Sequence, residues 1–222
     1  MNFLSHFYFD RDNLDCYHVL GTVMPDLLKN ADKTVVIHPE KLSHQNLNIS
    51  SLIGGWQKHL TVDRHFHSSE FFKYHSHQLK IELMPALKDS PVKPFFLGHI
   101  CLELILDNLL ITTGKITVDA FYDHLNNCAD EDIYNFLLFC GMKQPDIFLK
   151  FFTNFKKHRY LTTYSDTSQV AYALKRICMR VWDAPFTPHQ EVLLGDIILD
   201  YRSRLEPIFM QIFDDISRNL SA

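Results

Sequence analysis

Two stretches of this chain set histidines and carboxylates at a spacing that can do chemistry. His99, Glu103 and Asp107 stand at i, i+4 and i+8 within residues 94–111, and His59, Asp63 and His67 repeat that spacing within residues 54–67. On a helix such residues stack on one face. Two adjacent helices carrying inward His and carboxylate side chains are how helical bundles build metal sites. The spacing therefore predicts one ion held by His59, Asp63, His99 and Asp107. Glu103 and His67 stand beside them as further ligands, orienting partners or general acid/base groups. The competing reading of the same residues is a buried ion-pair network tying the two helices together.

A His/Asp donor set suits the harder divalent ions, Mn²⁺ foremost, with Mg²⁺, Fe²⁺ and Zn²⁺ as alternatives. No paired-cysteine motif offers a structural zinc site. Carboxylates with open coordination positions are suited to activating water and clamping a phosphoryl oxygen. The chain has no Gly-rich phosphate loop, no GxSxG and no recognisable Ser/His/Asp or Cys/His nucleophile motif. Seven of the thirteen histidines, His38, His44, His75, His77, His124, His158 and His189, are read as lying in loops or on charged faces, without a chemical role.

The elements that must position these residues read as helices. Residues 94–111 are apolar apart from the three ionisable positions, the mark of a buried helix. The run nears the length of a membrane span, but its ionisable residues and its lack of interfacial anchors argue for a core helix. Ser50 or Ser51 caps a helix to about His67, and Ser68 or Ser69 caps the next, to about Leu87. Asp12 to Lys29 reads as a helix broken or kinked at Pro25, which sets Asp26 beside an irregularity. Residues 30–49 read as a long loop. Gly114 ends the apolar helix and Thr117 opens another to Cys128. Residues 131–142, 145–159, 165–181 and 188–219 complete an all-α, single-domain helical bundle of about eight to ten helices.

Composition agrees. The chain of 222 residues is 46% hydrophobic and 22% charged, with 18 Phe and only seven Gly. That is ordinary for a globular fold with bulky core material and poor for an all-β one. A net charge of −4 gives no general attraction to nucleic acid or an anionic membrane. Five scattered cysteines, Cys16, Cys101, Cys128, Cys140 and Cys178, read as core thiols of a reducing compartment, and with no signal-peptide pattern a cytoplasmic protein is expected.

Four segments, in order, resemble one family. Met1-Asn-Phe-Leu-Ser-His6 is similar to the opening of the acyl carrier protein phosphodiesterases, and Leu20-Gly-Thr-Val-Met-Pro-Asp26 resembles their next segment. Gly54-Gly55 with His59-x-x-x-Asp63 resembles the third segment, and Glu103-x-x-x-Asp107 the fourth. The resemblance covers roughly residues 1–110. It implies an HD-domain-like helical fold and metal-dependent hydrolysis of the phosphodiester joining 4′-phosphopantetheine to acyl carrier protein. It also implies that Asp26, His59, Asp63 and Asp107 are metal or catalytic residues and that His6 belongs to the site. The chain departs from the pattern in lacking any His-Asp dipeptide. Asn108 follows Asp107 where the family tends to have His, His67 stands where Asp is usual, and His99 stands ready to replace a lost ligand. The alternative is a non-catalytic helical metal- or ligand-binding protein with a drifted site. Acyl carrier proteins are acidic, so docking one on this net-negative chain calls for a local basic patch. The candidates are Lys156, Lys157, His158 and Arg159 with Lys150, and Lys29 with Lys33.

Overall fold

The computed structural model describes residues 1–221. Among them the chain is all-α, with eleven α-helices, three short 3₁₀ segments and no strand. Caps fall where short polar side chains precede apolar runs. Ser69 accepts from the Phe72 amide, Thr117 from the Ala120 amide, and Thr187 with Gln190 forms a reciprocal capping box. The helix opened by Asp15, α2 (Cys16–Ala31), carries Pro25 inside it and runs on past Asp26 rather than ending there. The expected single helix over 188–219 is instead two, α10 (Pro188–Leu205) and α11 (Met210–Leu220). Pro207 lies in the gap, where its missing N–H and its ring are incompatible with a continuing ladder.

The chain forms two compact units. The first comprises residues 1–63 and 116–162, the second residues 64–115 and 163 onward. In the first, α2 packs against α1 (Phe3–Tyr8), α6 (Val118–Asn126) and α8 (Pro145–His158), while α7 (Asp130–Phe139) packs on α8. Its interior takes up much of the phenylalanine. Phe7 meets Phe121 edge-on with centroids 5.4 Å apart, Phe3 lies 5.5 Å from Phe155, and Phe148 stacks on Phe152 at 5.6 Å. Each fully buried ring contributes about 1.5–3 kcal/mol by desolvation.

The second unit is built on α5 (Pro94–Thr112), which packs most extensively on α4 (Glu70–Leu83) and then on α9 (Thr167–Cys178); α10 lies on α9, α4 and α5. By length and composition α5 could cross a membrane, yet 67% of its apolar window is buried inside the protein, as a core helix requires. It ends at Gly114, whose φ of +68° lets the Lys115 amide reach back to the Leu110 carbonyl at 2.9 Å. α11 packs on α4, and of α3 (Leu47–Ser68) residues 47–63 belong to the first unit and 64–68 to the second.

Asn108 is fully buried on α5 and joins three parts of the second unit. Its amide donates to the Tyr164 carbonyl at 2.6 Å, and its oxygen accepts from Arg202 Nε at 2.8 Å. The same guanidinium reaches Thr112 Oγ1 at 2.8 Å. Asn108→Leu strands a carbonyl and a guanidinium N–H, so urea unfolding should show a loss of about 1–3 kcal/mol with metal content unchanged. His75 is likewise structural. It is buried, not on a charged face as the sequence reading has it, and its Nδ1 is hydrogen-bonded to the Tyr201 hydroxyl at 2.8 Å.

Candidate metal centre

The first unit gathers three donors from two helices. His6 comes from α1, and His59 and Asp63 from α3; one potential ligand atom from each lies within 4.8 Å of the others. His59 is buried, with Nδ1 2.8 Å from the Thr22 carbonyl. A carbonyl only accepts, so Nδ1 carries a proton and Nε2 faces Asp63 Oδ2, 3.6 Å away. Nε2 and the carboxylate are placed to share a proton or a metal cation. Locking one ring nitrogen on a backbone carbonyl is also how proteins fix the tautomer and aim of a metal-binding histidine.

His6 strengthens the case. Its ring stacks on that of His59 with centroids 4.0 Å apart. Both its nitrogens are buried without a geometrically formed hydrogen bond, and Nε2 stands 3.3 Å from Asp63 Oδ1. Buried polar atoms left this way are rare without a purpose. Burial and the neighbouring His59 push the His6 pKa down to about 3, so the ring is neutral, the form that binds metal. The Asp63 carboxylate is held well below the usual range despite burial, which works the other way. Contacts with His6 and the Met1 amino group, the latter donating to Oδ1 at 2.7 Å, account for this. Two imidazoles and an ionised carboxylate around one point fit a divalent ion.

Asp26, on α2, differs from Asp63. Burial pushes its carboxyl upward, while His59 and Lys29 pull it down; Lys29 Nζ is 3.8 Å away. About 24% of the side chain stays exposed, which tempers the rise. Two carboxyls of one unit are thus biased in opposite directions, the pattern of a charge holder and a proton carrier.

Glycines set this geometry. A Cβ on Gly21 would lie 2.4 Å from the Leu52 carbonyl oxygen, and one on Gly55 2.1 Å from the His18 carbonyl oxygen. The backbones of α2 and α3 touch there, which brings the Thr22 carbonyl under His59 one turn further along. Gly55→Ala must push backbone against backbone. We expect a Tm lower by several degrees, consistent with overpacking costs of about 1–3 kcal/mol, and weakened metal binding in the folded fraction, read by calorimetric titration.

The second unit gathers a different set. His67 at the end of α3 meets His99 and Glu103 of α5, with His67 Nε2 3.2 Å from His99 Nε2, and Glu103 Oε1 3.0 Å from His99 and 3.6 Å from His67. Glu103 is held below the usual carboxylate range although burial opposes it, and hydrogen bonds from His67 and His99 are among the causes. Phe72 presents its ring to both imidazoles, with centroids 4.9 Å away in each case.

The α3 stripe is therefore divided. Its first two members lie with His6 in the first unit, and its third lies with His99 and Glu103 in the second. Eight residues of helix rise about 12 Å, so i and i+8 share a face without readily sharing an ion. Asp107 is fully buried on α5, in the second unit. Of the basic candidates, Lys156 lies 3.5 Å from Asp130 and 4.5 Å above the Phe152 ring. Arg159 is ion-paired with Asp119. Lys150, Lys157 and Lys33 are exposed. The Thr22 carbonyl and the Met1 amino group are site features that side-chain spacing could not signal. Comparison with protein-family models, with curated proteins and with solved structures finds no match.

Proposed function

We propose that the protein is a metal-dependent phosphodiesterase centred on His6, His59 and Asp63. One observation carries the reading. A half-buried ionised carboxylate faces two imidazoles, one locked by a backbone carbonyl and the other with both nitrogens lacking hydrogen bonds. A divalent ion held there, Mn²⁺ foremost, supplies water activation and polarisation of a phosphoryl oxygen. Asp63 contributes fixed negative charge, and His59 is kept in one tautomer by Thr22. Asp26, its carboxyl biased toward the protonated form, is assigned as proton donor to the leaving oxygen.

The resemblance to the acyl carrier protein phosphodiesterases supports the substrate class, a phosphodiester presented by an acidic carrier protein. Lys156, Arg159 and Lys29 are already ion-paired, and the exposed Lys150 and Lys157 are the candidates to meet such a partner. Five free cysteines suit a reducing, cytoplasmic setting. The second reading, a helical metal-binding protein without turnover, is favoured by the structural use of Asn108 where that family tends to have histidine. The test loads chelator-stripped protein with Mn²⁺ and measures release of phosphopantetheine from holo-acyl carrier protein alongside hydrolysis of a chromogenic phosphodiester. Turnover of both supports the proposal as stated. Turnover of the small ester alone removes the carrier protein, and metal binding without either activity selects the second reading.

A further inference from the structure

We propose that His67, His99 and Glu103 form a further metal site, for a zinc-class late transition ion with an open coordination position. The inference does not depend on the phosphodiesterase reading. It rests on the mutual spacing of the three donor atoms. Bonds of about 2.0–2.1 Å at tetrahedral angles place ligand atoms roughly 3.3–3.4 Å apart. The three separations here are 3.2, 3.0 and 3.6 Å. The donors thus already outline one face of a coordination tetrahedron.

The chemistry of the pair supports it. Nε2 of His67 and Nε2 of His99 face each other at 3.2 Å, so each ring turns either an N–H or a lone pair at the same point. A cation between them lets both act as donors of lone pairs. Two imidazoles and one carboxylate make a softer set than the oxygen-rich shells that Mg²⁺ and Ca²⁺ require. His99 and Glu103 are one turn apart on α5, which keeps them on one rigid element, and Phe72 braces both rings. Glu103 forms the base, with its side chain 11% exposed, while His67 and His99 are 35% and 37% exposed. The fourth position therefore opens outward, the arrangement of an ion that takes water or an anionic oxygen ligand rather than of a closed structural zinc.

The experiment uses the full chain carrying Asp63→Asn, so that the first unit's donors do not bind. Chelator-stripped protein is titrated with Zn²⁺ by calorimetry and with Co²⁺ by visible absorption. One equivalent of zinc and the intense absorption of four-coordinate cobalt are expected. Adding His99→Ala should remove both, and adding Glu103→Gln, which keeps size and hydrogen bonding, should weaken zinc by at least tenfold. Circular dichroism checks that each remains helical. Zinc stoichiometry and cobalt spectrum unchanged by both added substitutions, or no zinc binding to folded Asp63→Asn protein, would overturn the proposal.

Discussion

Asp63→Asn should yield a folded, helical protein that holds no ion on His6 and His59 and hydrolyses no phosphodiester. The carboxylate carries the only formal negative charge among the three donors, and it touches both imidazoles and the Met1 amino group. Losing a group that merely orients a metal ligand costs about 10–100-fold in affinity or activity. Losing a charged ligand costs more, and turnover should fall below detection. The fold survives because Asp63 lies at a partly open position, 30% exposed, where water can replace its contacts. The stability penalty is that of disturbed charge-assisted hydrogen bonds, about 1–3 kcal/mol. Asp107→Asn is the matched control. If His59, Asp63, His99 and Asp107 formed one set, it would lose manganese as completely as Asp63→Asn. If His6, His59 and Asp63 hold the ion without Asp107, manganese content after dialysis should stay at the wild-type value. Equal losses in the two variants would select the four-residue site.

What the amino-acid order made legible, and what it hid, follows from the range of each interaction. The buried helix α5 was readable because apolarity on every side is a local property, interrupted visibly at His99, Glu103 and Asp107. Ser69 and Thr117 were readable as caps because a cap is an interaction over three residues. Pro207 was read through, since a proline in a long amphipathic pattern can either kink or end a helix and packing decides which. The His/carboxylate stripe gave the face of α3 correctly but not the division between His59, Asp63 and His67, because a pattern of period 3.6 records angle and not rise. The anchor of His59 on Thr22 was out of reach altogether. It depends on a backbone carbonyl and on the contact of Gly21 with Gly55, neither of which has a side-chain signature.

Metal-free protein should lose stability steadily as pH falls from about 6.5 toward 4, and His6→Gln should flatten that decline. His6 is held neutral in the folded state, with its pKa pushed down to about 3, whereas the unfolded chain protonates it near the ordinary histidine value of 6.5. Below 6.5 the unfolded state binds the extra proton, so acid favours unfolding, and the effect ends only when the folded-state pKa is reached. Each pH unit in that window is worth about 1.4 kcal/mol, giving about 2 kcal/mol lost at pH 5 from this ring. His75, lowered by burial, adds a contribution of the same sign. Asp26, raised by burial, works in the opposite direction through its own titration and is weakened by exposure. Asp63, held low, adds to the acid loss only below the ordinary carboxylate range. The window between 6.5 and 4 therefore belongs mainly to the two histidines. Urea unfolding at a series of pH values reads the slope directly. With saturating Mn²⁺ the wild-type curve should lie higher at pH 7 and fall more steeply, since an ion bound to neutral imidazole is displaced by protons. Parallel curves for wild type and His6→Gln would mean that His6 protonates freely in the folded protein, and its place in the metal site would then be lost.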